Sequence, residues 1–217
     1  MRAIVIGGTG AVGGALVREL AASTAWDGVT VIVRRPAAFD ERVNVAVVDY
    51  ANLERETARL AASYDAAFCT MGIGQPRKVS LDEFRRVDVE YVGAFARGAA
   101  KAGVKHCTLL SAIGTAPNSR ITYARVKAES EQAVIDAGFE RVSLFRPSVL
   151  VTKEIRYGLQ DRVTQLFFPM IAPLLPRRYH QIRVEDLARA MRLNAERGGM
   201  RGVEVLDYGE FSALLAT

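Results

Sequence analysis

Residues 1–20 read MRAIVIGGTGAVGGALVREL, and residues 7–14 within them, GGTGAVGG, hold five glycines in eight positions. Glycine loses more chain entropy on folding than any other residue, so a cluster this dense needs a structural reason. The apolar run Ala3–Ile6 ahead of it has the length of a buried strand, and the amphipathic stretch Ala11–Ala22 begins directly behind it. Gly8-Thr9-Gly10-Ala11-Val12-Gly13 fits GxGxxG, while Gly7, Gly10 and Gly13 fit GxxGxxG in a shifted frame. Both spacings serve one geometry: a tight turn, a close approach of backbone to a pyrophosphate, and close packing of helix on strand. Backbone N–H groups at the helix start then hold the anion. The motif is weak alone and gains meaning from standing between a strand and a helix. Its alternative is a glycine turn without a ligand.

Outward from this stretch, strand-length apolar runs alternate with helix-length amphipathic ones. The runs are Ala3–Ile6, Val29–Val33, Val43–Val48, Ala66–Cys69, Cys107–Leu110 and Val142–Phe145. Between them lie Ala11–Ala22, Leu53–Ser63, Leu81–Ala102 and Tyr123–Ala137. Short, nearly continuous branched runs are the mark of strands covered on both faces. The alternation predicts an α/β fold, a Rossmann-like doubly wound parallel sheet with right-handed crossovers. Ligands of such sheets lie at the carboxyl ends of the strands. From Arg146 to Tyr179 the rhythm breaks, and this segment carries most of the seven prolines. A helix Val184–Arg197, a strand Val203–Leu206 and a short last helix follow. This is too little for a second domain, so residues 1–217 are read as one dinucleotide-binding domain. Residues 146–217 form its C-terminal, substrate-side cap.

The second strand ends in Arg34-Arg35, with no acid to hold the ribose 2′-OH of NAD. A guanidinium grips a 2′-phosphate with two prongs. The predicted cofactor is therefore NADP(H), the alternative being arginines that are merely solvated. Asp49-Tyr50 follow the third strand; Asp49 could reach the adenine amine or cap a helix.

After the fifth run comes LLSAIGTAPNSRITYARVKAESE. Tyr123 and Lys127, four residues apart, share one face of a helix. Ser111 stands at the end of the preceding strand. A phenol ionises near pH 10, and a neighbouring ammonium stabilises the phenolate. Tyr123 can then protonate the oxygen of a carbonyl under reduction, with Lys127 tuning it and Ser111 positioning the carbonyl. A YxxxK pair by itself is usually a helix surface; its place behind a dinucleotide loop makes it specific.

The segments GGTGAVGG, LLSAIG, YARVK and FRPSVL together resemble the short-chain dehydrogenase/reductase superfamily. Within it they are most similar to the atypical single-domain NADP(H)-binding proteins related to the Tat-interacting oxidoreductase. The shared features are Leu109-Leu110-Ser111 with Gly114, the YxxxKxExE run from Tyr123 to Glu131, and Phe145-Arg146-Pro147. The resemblance spans Met1 to about Leu150 and weakens through VEDLARAM. It implies a Rossmann fold, NADP(H), a phosphate loop at Gly7, Gly10 and Gly13, and a Ser-Tyr-Lys site at Ser111, Tyr123 and Lys127. It also implies that Cys69-Thr70-Met71-Gly72 lie along the cofactor and that Pro147 and Ser148 flank the nicotinamide. The chain departs from the wider superfamily at Ala112, where many members carry a hydroxyl, and at Asp88, near the place of a helix asparagine.

The composition, 50% hydrophobic and 24% charged, is that of a globular protein. Ala3–Ile6 is too short for a signal-peptide core, and no run approaches a membrane span. Cys69 and Cys107 lack metal-ligand spacing and read as small hydrophobes, so a cytoplasmic, reduced protein is the default. The net charge of +5 is scattered, which argues against a nucleic-acid partner. Trp26, beside Asp27-Gly28, reads as the edge of the core. His106 reads as partly exposed, and His180 as near the substrate. The run LFFPMIAPLLP at residues 166–176 either packs on the sheet, walls an apolar pocket or makes a homodimer contact. These readings converge on an oxidoreductase acting on a small carbonyl compound, with an NADP(H)-binding regulatory protein as the rival.

Overall fold

The first strand, β1 (Arg2–Ile6), runs through the glycine turn into α1 (Ala11–Ala22), followed by β2 (Gly28–Val33) and β3 (Val43–Val47). A single 3₁₀ turn (Tyr50–Asn52) leads to α2 (Leu53–Leu60) and β4 (Ala66–Cys69). Then come α3 (Leu81–Arg85), a π-helical turn (Arg86–Tyr91), α4 (Val92–Lys101), β5 (His106–Leu110), α5 (Thr122–Ile135) and β6 (Arg141–Phe145). A short pair, β7 (Leu150–Val151) and β8 (Ile182–Arg183), precedes α6 (Val184–Glu196), β9 (Gly202–Leu206) and α7 (Tyr208–Leu215). This computed structural model describes residues 1–152, 180–199 and 201–216. The run at residues 166–176 lies outside the described residues.

The main sheet has seven strands in the order β3-β2-β1-β4-β5-β6-β9, every pair parallel. The chain winds outward from β1 to β3, then crosses back to β4 on the other side. That reversal leaves a crevice at the carboxyl ends of β1 and β4, where ligands of such sheets bind. Thr70 N donates to Ile6 O at 3.0 Å across this point. The strand β9 continues the sheet beside β6, so the C-terminal part joins the architecture begun at the N-terminus.

Two apolar layers sandwich the sheet. Leu16, Leu20, Leu187, Met191 and Phe211 pack on one side, and Leu53, Val92, Phe95, Ala99 and Val134 on the other. Trp26 closes the first layer, edge-on to Phe68 with ring centroids 5.8 Å apart. Its indole N–H donates to Glu196 Oε1 at 2.7 Å, which ties the end of α1 to α6.

Three local expectations are corrected. The strand β3 is not covered on both faces: it is an edge strand, and Asn44, Val45 and Val47 are exposed. The stretch predicted as one helix, 81–102, is interrupted by the π turn, whose wider winding carries Asp88 into the interior. Such turns recur at functional sites. His106 is buried, because it opens β5 and its ring Nε2 lies 2.7 Å from Ser143 Oγ. Burial first, then Arg141, lower its pKa to about 3. Around it, Arg141, Ser143, Asn194 and Glu204 bond one another across β6, α6 and β9.

Candidate active site

At the crevice, Gly7 adopts φ +85°, and a Cβ there would stand 2.5 Å from Met71 N. A Cβ at Gly13 would run into Gly7 O and stand 2.5 Å from Thr70 Oγ1. These two positions need glycine for different reasons: one for the left-handed turn, the other for contact between α1 and the exits of β1 and β4. Gly10 N closes the turn on Gly7 O at 2.9 Å. Helix α1 has no side-chain N-cap and no acid in its first turn. Its uncapped N–H groups and positive dipole end therefore remain for an anion.

A cleft of 470 Å³ opens here, lined by Gly7, Thr9, Gly10, Arg34, Arg35, Tyr50, Thr70, Met71 and Gly72, with Val87 and Tyr91 across from them. Such a size suits a cofactor site. Tyr50 meets Tyr91 edge-on at 5.2 Å; burial raises its phenol pKa to about 12, with Arg34 pulling the other way. Gly8 and Ala11 face a second cavity of 980 Å³, together with Arg18, Phe39 and Arg42. Three other residues predicted for the cofactor have side chains engaged within the protein. Val12 is in the core. Cys69 is fully buried, and burial raises its thiol pKa to about 12. The Asp49 carboxylate accepts from Ala51 N at 3.0 Å, so it caps the 3₁₀ turn. Beyond β6, Pro147 O accepts from Ile113 N at 2.9 Å, and Ser148 Oγ donates to His180 O at 2.6 Å. His180 also lies against Tyr208, with ring centroids 5.2 Å apart.

Helix α5 presents Tyr123, Lys127 and Glu131 at successive four-residue steps, hence along one face. Tyr123 is half-buried and stacks on Phe84 of α3, the rings 5.9 Å apart and 9° from parallel. Lys127 is buried, and its Nζ donates to Asp88 Oδ1 at 2.8 Å. The other Asp88 oxygen accepts from Ile73 N at 2.8 Å. Burial alone would lower the Lys127 pKa; the Asp88 charge, Tyr123 and the Asp88 hydrogen bond outweigh it and hold the pKa above its ordinary value. A Cβ on Gly72, which lines the cleft, would stand 3.2 Å from Lys127 Nζ and 2.9 Å from Asp88 Oδ1. Lys127 thus lies against Gly72, a residue of the cleft lining.

One turn deeper, Ser111 Oγ donates to Glu131 Oε1 at 2.5 Å. Arg146 grips the same carboxylate in two-pronged fashion, Nε to Oε1 at 2.8 Å and Nη2 to Oε2 at 2.6 Å. Sequence reasoning assigned no role to Glu131 or Arg146. The signal for Glu131 was its place four residues beyond Lys127; for Arg146 there was only the strand end it follows.

The chain matches the NAD(P)H-binding family over residues 7–165. It is 33% identical to protein HTATIP2 of Rattus norvegicus over 207 residues, 94% of this chain and 84% of that protein. It is 30% identical to the mitochondrial protein FMP52 of Eremothecium gossypii over 152 residues, 70% of this chain and 67% of that one. Two solved structures share its fold. MoeE5, in complex with UDP-glucuronic acid and NAD, superposes with a TM-score of 0.73 at 17% identity, over 100% of this chain and 81% of that one. The oxidoreductase ylbE of Lactococcus lactis does so with a TM-score of 0.70 at 20% identity, over 100% and 95%. With a family match along most of its length and a relative one-third identical over nearly all of it, this chain belongs to the NAD(P)H-binding family, as an atypical member of the short-chain dehydrogenase/reductase type.

Proposed function

We propose that this protein is an NADP(H)-dependent oxidoreductase that reduces a small carbonyl compound, or oxidises the corresponding alcohol, with Tyr123 as proton donor. The observation that carries the reading is the approach of Lys127, which shares the α5 face with Tyr123, to Gly72 of the cleft lining. Gly7, Gly10 and the first turn of α1 would hold the diphosphate, and Thr70 to Gly72 the stretch toward the nicotinamide. Bound there, the cofactor supplies hydride chemistry to the carbonyl carbon. As the C=O electron pair moves onto oxygen, the Tyr123 proton goes to that oxygen. Lys127, kept charged by Asp88, stabilises the phenolate left behind. Phe84 restricts the phenol ring by covering one face, and Ser111 lies at the same sheet edge to orient the substrate.

NADP(H) over NAD(H) is supported by Arg34 and Arg35, which line the cleft among described residues that include no carboxylate. A guanidinium pair there favours a 2′-phosphate. The decisive experiment is Tyr123→Phe: NADPH consumption with a panel of aldehydes, ketones and quinones should fall by 10²-fold or more, while NADPH affinity by calorimetry stays the same. Unchanged turnover would remove Tyr123 as the acid. A wild-type protein that binds NADPH and consumes none of the panel would favour the regulatory reading.

A further inference from the structure

Four residues separate Phe84 from Asp88, and four separate Tyr123 from Lys127. The two runs lie side by side in the same direction. Phe84 stacks on Tyr123 with ring centroids 5.9 Å apart, and Asp88 Oδ1 accepts from Lys127 Nζ at 2.8 Å. Asp88 thus sits on the ammonium that shares a helix face with Tyr123. It is fully buried, and both its oxygens accept, Oδ2 from Ile73 N at 2.8 Å, as an ionised carboxylate does. The other charges beside this face are engaged. Arg85 of α3 pairs with Glu129 of α5 at 2.8 Å, and Arg97 of α4 with Glu54 at 2.7 Å. Arg146, beyond β6, holds Glu131. Arg125 of α5 donates to Ser119 O and Thr122 Oγ1. Cys69 of β4 is buried, and its thiol, pushed up to about 12, is neutral.

With Asp88 and Lys127 both charged, the site is electrically neutral while Tyr123 keeps its proton. Loss of that proton leaves a net negative charge where water is scarce. Were Asp88 uncharged, the same loss would turn a net positive charge into a neutral pair. A free opposite charge nearby eases ionisation of an acid by about 1–3 pH units; a carboxylate bonded to the ammonium cancels much of that help. We infer that Asp88 is a positioning residue that keeps Tyr123 a proton donor: by holding the Lys127 charge it withholds that charge from the phenolate, so the site is poised for carbonyl reduction at neutral pH and acquires the base that alcohol oxidation needs only in alkali. The inference rests on the proposed reading of Tyr123 as the acid.

The test reads the phenolate itself, by ultraviolet difference absorbance during a pH titration of the intact chain without cofactor or substrate. Each titration is compared with that of the same protein carrying Tyr123→Phe, which isolates the one phenol. Asp88→Asn removes the charge and nearly keeps the shape, and its Tyr123 midpoint should lie at least about one pH unit below that of wild type. Asp88→Leu with Lys127→Met removes both charges and should move the midpoint by less than about one unit, because the intact pair acts on Tyr123 as a nearly neutral group. That double variant carries the test alone if a melting curve shows Asp88→Asn unfolded. In kinetics, the alkaline rise of alcohol oxidation should move to lower pH in Asp88→Asn by the same step, whereas a merely structural Asp88 would lower rates at every pH alike. A smaller fall or none in Asp88→Asn, or a rise of about one unit or more in the double variant, would overturn the inference. Turnover of Tyr123→Phe reports on the acid assignment, and the titrations contain no substrate, so the two readings fail separately.

Discussion

Replacing Asp88 by Ala should destabilise the protein by about 3–5 kcal/mol at neutral pH, the usual cost of leaving one member of a buried ion pair without its partner. Asp88 is fully buried and Lys127 is 6% exposed, so water does little to replace the lost carboxylate. Ile73 N loses its acceptor as well, at about 1 kcal/mol. Against a total stability of about 5–15 kcal/mol, and at about 2–4 °C per kcal/mol for this size, the melting temperature should drop by roughly 10 °C or more. Asp88→Leu with Lys127→Met removes both charges and should recover most of the loss.

The pH dependence has a definite sign. In wild type the folded Lys127 pKa lies above its unfolded value near 10.5, so the stabilisation is complete below that pH and is lost as pH rises through the folded pKa. In Asp88→Ala, only Tyr123 and Cys69 still oppose burial, so the folded pKa should fall below the unfolded one and that variant should gain stability as pH rises. The gap between the two proteins should therefore narrow between pH 7 and pH 10. Urea unfolding followed by circular dichroism at both pH values measures it. A loss under about 1 kcal/mol at pH 7, or a gap that widens with pH, would refute the account of the pair.

Three further outcomes can be measured. Gly13→Ala drives a Cβ into Gly7 O, so it should destabilise the fold by about 1–3 kcal/mol and weaken NADPH binding in calorimetry; unchanged values of both would contradict the close packing of α1. Arg34→Asp with Arg35→Ala should weaken NADPH binding at least tenfold more than NADH binding, and equal losses would remove the 2′-phosphate assignment. His106 takes up its proton near pH 6.5 when unfolded and near 3 when folded. Stability should thus fall by up to about 1.4 kcal/mol per pH unit as pH drops below 6.5, and His106→Gln should flatten that slope in acid unfolding.

Local order was legible in the sequence because it rests on short-range rules. Branched apolar runs mark strands, four-residue steps mark a helix face, and a glycine that must take positive φ or admit a close neighbour marks a turn. From these alone the α/β alternation, the turn at Gly7–Gly13 and the shared face of Tyr123 and Lys127 follow. The partners of buried charges do not, because they depend on which elements become neighbours. Asp88 reaches Lys127 across 39 residues, and only because a π turn winds it inward. Glu131 meets Ser111 and Arg146 because β5 and β6 pair beside α5. Asp49, equally able to cap a turn or face a ligand, caps the 3₁₀ turn through an N–H two residues on, a contact its sequence neighbours alone do not fix. Tertiary packing also placed Cys69 inside the sheet and the hydroxyl proton of Ser111 on a carboxylate, since desolvation forces each buried polar group to find a partner wherever the fold brings one.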